Sequence, residues 1–85
     1  MGYFYIIQSL KKSDYFYQGS TENMKRRLTE HNEGRVQSTR PYHPYKLVYC
    51  EVYVNEKAAR LREQSVKKSG SICTPLLKRI KASLL

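Results

Sequence analysis

The chain predicts an α+β fold: a small three-stranded sheet, mixed or antiparallel, flanked by helices in the order β-β-α-β-α-α. Three observations predict it. Two aromatic and β-branched runs, residues 3–7 and 15–19, are separated by the polar stretch 9–14, the pattern of a tight antiparallel hairpin. A third run, 46–54 (KLVYCEVYV), has the clearest strand composition in the chain. Asparagines stand directly before two helical stretches, at Asn23 and Asn55, where a side-chain oxygen can satisfy the first orphan amides of a helix. A three-stranded sheet packed against helices is the architecture this order most easily builds.

Taken in order, the first strand covers 3–7 and the second 15–19, ended by Gly19. The first helix covers 24–32. Met24, Leu28 and His31 recur at spacings of four and three, so their stripe turns inward, and Gly34 suits a left-handed cap after the last turn. Residues 35–46 hold two prolines and four basic groups, which argues against regular structure. After the third strand, the helix capped by Asn55 runs to near Gly70. Ala58, Leu61 and Ser65 form one of its stripes, and Ala59, Glu63 and Val66 the adjacent one. Pro75 sits well at a first helical position with Thr74 as cap, opening a short third helix to the end of the sequence.

At 85 residues there is room for one core, hence one domain over 1–85. Lys and Arg number 16 against 7 Asp and Glu, a formal charge of +9, which points to a polyanionic partner, nucleic acid ahead of an anionic membrane. No apolar run approaches the ~20 residues of a membrane span, and no signal-peptide pattern opens the chain. Cys50 and Cys73 fit neither a disulfide scaffold nor a zinc pattern and read as reduced thiols of a cytoplasmic protein.

Hydrolysis of a phosphodiester needs a deprotonated water, neutralised charge on the phosphoryl oxygens and a leaving group held in line. Glu63, on the apolar side of its helix, can anchor Mg²⁺ or Mn²⁺, since one carboxylate with water and phosphate oxygens completes an octahedron; the plainer reading is an ion pair with a neighbouring arginine. Arg27 and His31 share a helix face about one turn apart. A guanidinium grips two phosphate oxygens, and an imidazole passes protons or hydrogen-bonds a phenol; the plainer reading is a solvated face with Lys25, Arg26 and Glu30. Tyr5 and Tyr17 are candidate proton carriers, provided cations lie beside them, whereas Tyr3, Tyr15, Tyr49 and Tyr53 are assigned to packing. Arg26, Arg35, Arg40, His43 and Lys46, interleaved with Tyr42 and Tyr45, suit phosphate contacts and stacking.

Together these positions resemble the GIY-YIG nuclease family. Its first motif corresponds to Tyr3-Phe4-Tyr5 with Ile6-Ile7, its second to Tyr17-Gln18-Gly19; GSTENMKRRLTEHNEG at 19–34 resembles its first helix, STRPYHPYKLVYCEVY at 38–53 its third strand and approach, and AARLREQSVKK at 58–68 the helix of its metal-binding glutamate. The chain departs from the pattern at Tyr3, Phe4 and Gln18 and has no asparagine after Asn55. The resemblance implies a metal-dependent endonuclease-type domain, with Tyr5, Tyr17, Arg27, His31 and Glu63 as catalytic residues, Tyr5 as the general base, Glu63 as the metal ligand, and 5′-phosphate and 3′-hydroxyl products. The expected partner is nucleic acid, DNA first, bound with little sequence preference; a homodimer is open, because one site cuts two strands only as two copies or in two visits. The alternative is a nucleic-acid-binding module without turnover.

Overall fold

The structure, a computed structural model, describes residues 1–84. Strand β1 (Gly2–Ser9) is the centre of the sheet, with β2 (Phe16–Thr21) on one side and β3 (Tyr45–Tyr53) on the other, both antiparallel to it. The mixed alternative is therefore set aside. Central placement explains why β1 reads as a continuous apolar run: Phe4, Tyr5, Ile6 and Ile7 are all at most 1% exposed, because both faces of the strand are covered.

The two faces make two cores. Phe4 and Ile6 pack with Val66, Leu76 and Ile80 beneath α2 (Glu56–Lys68) and α3 (Gly70–Ser83). Tyr5, Ile7 and Tyr45 face the other way, with Tyr15, Tyr17, Met24, Leu28 and Tyr42 packed around them under α1 (Met24–Asn32) and the segment after it. Asn23 and Asn55 cap α1 and α2 as expected, accepting from the amides of Arg26 and Ala58 at 3.0 and 2.8 Å. Gly34 adopts φ 72°, the left-handed conformation that follows α1.

Leu61 is 55% exposed, and α2 turns its Ala59–Val66 stripe inward, the side on which Glu63 was expected. Two expectations need correction. Residues 35–46 are not wholly irregular: Arg40–Tyr42 form a 3-10 turn around Pro41, and β3 begins at Tyr45. The third helix starts at Gly70, four residues before Thr74; extended Ser69 separates it from α2, and its carbonyl accepts from the amides of Ile72 and Cys73 at 3.1 and 2.9 Å. Packing decides this, since Ile72 and Cys73 lie against the first core, and Pro75 is carried as an exposed residue inside the helix. The expected end of that helix at Leu85 lies outside the described residues.

Candidate active site

Tyr5 and Gly19 face each other across β1 and β2. A Cβ on Gly19 would stand 2.6 Å from Cζ of the Tyr5 ring, so glycine is what lets the phenol lie flat across β2. The phenol then meets α1: Tyr5 Oη and His31 Nε2 are 2.8 Å apart, both residues essentially without solvent exposure. His31 Nδ1 lies 2.7 Å from Thr39 Oγ1, and the Tyr45 hydroxyl donates to the Thr39 carbonyl at 2.8 Å. The Tyr17 ring centre is 5.4 Å from that of His31, and its hydroxyl lies 3.5 Å from Ser38 Oγ.

Charge arrives from two helices. Arg27, one turn before His31, donates to Glu30 at 3.0 Å and remains partly exposed. Lys25 and Arg26 beside it are exposed, so the solvated-face reading fits them but not Arg27. Glu63 comes from α2 on the opposite face of the sheet and reaches the β2 edge: Ser20 donates to its Oε1 at 2.5 Å and Lys67 to its Oε2 at 2.7 Å. The ion pair foreseen for Glu63 thus exists, with a lysine in place of an arginine. The Lys67 ammonium is also 5.3 Å from the centre of the Tyr17 ring.

These fields act on the buried pair. Burial pushes the Tyr5 phenol up to about 12, against the Arg27 cation that pulls it down, with Tyr17 and Glu63 adding to the rise. Burial and Arg27 bring His31 down to about 4, partly opposed by Glu30, so the imidazole is neutral at pH 7. Tyr5 therefore feels the charges of Arg27 and Glu63 as well as Tyr17, while its hydroxyl is bound to His31 and Tyr17 lies against the same imidazole.

The basic residues spread more widely. Arg26 and Arg35 line a shallow cleft of about 310 Å³ on the outer side of α1 with Asn23, Lys25, Thr29 and Glu30, and each also pairs with a carboxylate, Glu22 and Glu33. Arg40 donates through Nε to the Gly34 carbonyl at 2.9 Å, and His43 folds back on the Arg40 carbonyl. Lys46 is exposed on β3, across from Gln8, without a contact to the Tyr5 cluster. Sequence reasoning passed over Ser20, Thr39 and Lys67 beside these residues, and it read Tyr45 as a stacking aromatic of the basic loop, whereas Tyr45 is 2% exposed and packs with Tyr5. Lys67 had a signal, its position four residues after Glu63 on a helix; Ser20 and Thr39 enter only through the fold.

No group of three metal-ligating side chains occurs among the described residues. One partly buried, hard carboxylate, Glu63, is a donor set that fits Mg²⁺ or Mn²⁺ held mainly by water and phosphate oxygens, and not a soft or fully caged ion. No described helix is long and apolar enough to cross a membrane.

Residues 1–71 match the model of the GIY-YIG catalytic domain. The chain is 39% identical over 69 residues to a UPF0213 protein of Clostridium perfringens, covering 80% of this chain and 72% of the relative. It is 36% identical over 67 residues to UPF0213 proteins of Streptococcus pyogenes, among them one from serotype M3, covering 78% and 71%. No solved structure matches it significantly. A GIY-YIG domain implies nuclease-type function, with nucleic-acid binding, and its nucleases generally use divalent metal ions. With 71 of 85 residues inside that domain and its two tyrosine motifs paired on neighbouring strands, the chain belongs to the GIY-YIG family.

Proposed function

We propose that this protein is a divalent-metal-dependent endonuclease of low sequence specificity, acting on nucleic acid, DNA in the first place. The observation that carries this reading is the buried hydrogen bond between Tyr5 and His31 at a point where Arg27 and Glu63 also act. A phenol donating to a neutral imidazole is a proton path with an acceptor already in place.

Magnitudes constrain how it works. With the phenol pushed up to about 12 and the imidazole brought down to about 4, the proton stays on Tyr5 in the resting protein. The hydrogen bond itself, phenol to neutral imidazole, favours the same resting states. No phenolate stands ready, so transfer belongs to the reaction step. As the water oxygen bonds to phosphorus, its proton passes to Tyr5 Oη while the Tyr5 proton passes to His31 Nε2. The P–O3′ bond breaks, and the leaving oxygen takes a proton from solvent, giving 5′-phosphate and 3′-hydroxyl ends. Arg27 grips the non-bridging oxygens, its pair with Glu30 exchanged for the phosphate, and Tyr17 packs against His31. Glu63 would hold Mg²⁺ or Mn²⁺, which when bound supplies positive charge to the phosphate and its attacking water. Arg26, Arg35, Arg40, His43 and Lys46 would carry the flanking phosphates.

The test is cleavage of single-stranded, duplex, flap and branched substrates with Mg²⁺, Mn²⁺ or chelator, alongside binding. Tyr5→Phe is expected to bind like the parent and lose about 10²–10⁴ in rate, the usual worth of a general base. Glu63→Gln is expected to lose metal-dependent cutting with affinity equal or slightly higher. A parent that binds every substrate and cuts none leaves a nucleic-acid-binding module in place of the enzyme.

A further inference from the structure

We propose that Thr39 is a positioning residue for this site: its buried hydroxyl fixes His31 in the tautomer protonated on Nδ1, leaving Nε2 free to accept the Tyr5 proton. The inference rests on the proposed nuclease reading for its consequence, but not for its geometry.

The argument is a count of donors and acceptors. Tyr5 is 1% exposed and has one hydroxyl hydrogen to place. Of its polar neighbours, Arg27 only donates, and His31 Nε2 at 2.8 Å is the acceptor in reach. If Nε2 carried the proton, it would donate to Tyr5 Oη and the phenol's own hydrogen would be buried without a partner, which native interiors avoid. Nε2 is therefore the acceptor, and the proton of the neutral ring sits on Nδ1. That N–H needs an acceptor of its own, since His31 is 0% exposed. Thr39 Oγ1, 2.7 Å away, is its partner among the described residues, and the Thr39 hydrogen passes in turn toward the Val36 carbonyl at 3.4 Å. In this arrangement every buried proton has an acceptor.

Thr39 is held where this needs it. It is 0% exposed; its amide donates to Val36 O at 3.2 Å, and its carbonyl accepts from Tyr42 N at 3.2 Å and from Tyr45 Oη at 2.8 Å. Tyr45 ties it to β3. The His31 ring itself is walled by Tyr5, Tyr17 and Tyr45, one from each strand, with centre-to-centre distances of 5.4 to 6.0 Å.

The experiment is ¹⁵N NMR of the histidine rings in the full chain, which holds only His31 and His43. The parent and Thr39→Ser, which keeps the hydroxyl, are expected to show His31 as the Nδ1–H tautomer at pH 7. Thr39→Val, nearly the same shape without the hydroxyl, is expected to shift His31 toward Nε2–H. Cleavage should fall about ten- to a hundred-fold in Thr39→Val with substrate affinity kept, and recover in Thr39→Ser, the usual cost of losing a group that orients a reacting side chain. An Nε2–H tautomer in the parent, or an Nδ1–H tautomer kept in Thr39→Val, overturns the proposal. Because the parent spectrum alone can overturn it, the test survives a Thr39→Val protein that does not fold. A parent with the expected tautomer and no cleavage on any substrate strikes the nuclease reading and leaves the tautomer assignment standing.

Discussion

Glu63 and Lys67 show how much one side chain can alter a site. They sit one turn apart on α2, and the 2.7 Å ion pair between them places a cation on the carboxylate proposed to hold a divalent ion. Lys67 is 43% exposed, so the pair is screened and readily exchanged. On the proposed reading, lysine and metal would compete for this carboxylate. Lys67→Met keeps the stem over Tyr17 and removes the charge. It is expected to lower the half-saturating Mn²⁺ concentration about two- to five-fold in a direct metal titration without nucleic acid, the range of an exposed ion pair. An unchanged midpoint would mean the two do not compete. Ser20 donates to the other carboxylate oxygen and, being neutral, adds no competing charge.

Helices and strands set what those side chains can reach. Asn55 caps α2, and α2 delivers both Glu63 and Lys67. Asn55→Ala should cost about 1 kcal/mol, lowering the melting temperature by roughly 4–8 °C for a domain of this size while leaving the Tyr5–His31 pair in place; a melting curve read together with the histidine spectrum checks both halves. Those caps, the hairpin and the Gly34 turn were legible in the sequence because each depends on a few adjacent residues. The start of α3 was not, because Ile72 and Cys73 are drawn into helix by a core whose other members lie far along the chain. At the site the same division holds. Tyr5, Tyr17, Arg27, His31 and Glu63 could be picked out by type and spacing, whereas Thr39 stands in a loop whose polar residues look alike until β3 and Tyr45 fix one of them against His31.

For the whole molecule, charge and burial give two further expectations. Six ion pairs use six of the 16 Lys and Arg and six of the seven Asp and Glu, so ten cations and Asp14 are left without an opposite partner among the described residues. If four to six phosphates are engaged, log K for duplex DNA should fall against log salt with a slope of roughly −4 to −5; an affinity indifferent to salt would contradict nucleic acid as the partner. His31 is expected to weaken the fold in acid. Its folded value near 4 lies below the ordinary 6.5, so the unfolded chain binds its proton first. The stability it confers is full above about pH 6.5 and is lost as pH falls toward 4, by roughly 3 kcal/mol. Denaturation midpoints across that window, compared with those of His31→Gln, measure it; equal slopes in the two proteins would assign the loss to other groups. The sheet also imposes an order in time. Tyr5, Tyr17, Arg27, His31 and Thr39 all lie before the end of β3, while Glu63 comes from α2 and crosses to them only at the β2 edge. On the ribosome, the residues proposed to handle the proton are made first and the carboxylate last, so on the proposed reading a nascent chain has no complete site until α2 has emerged and docked.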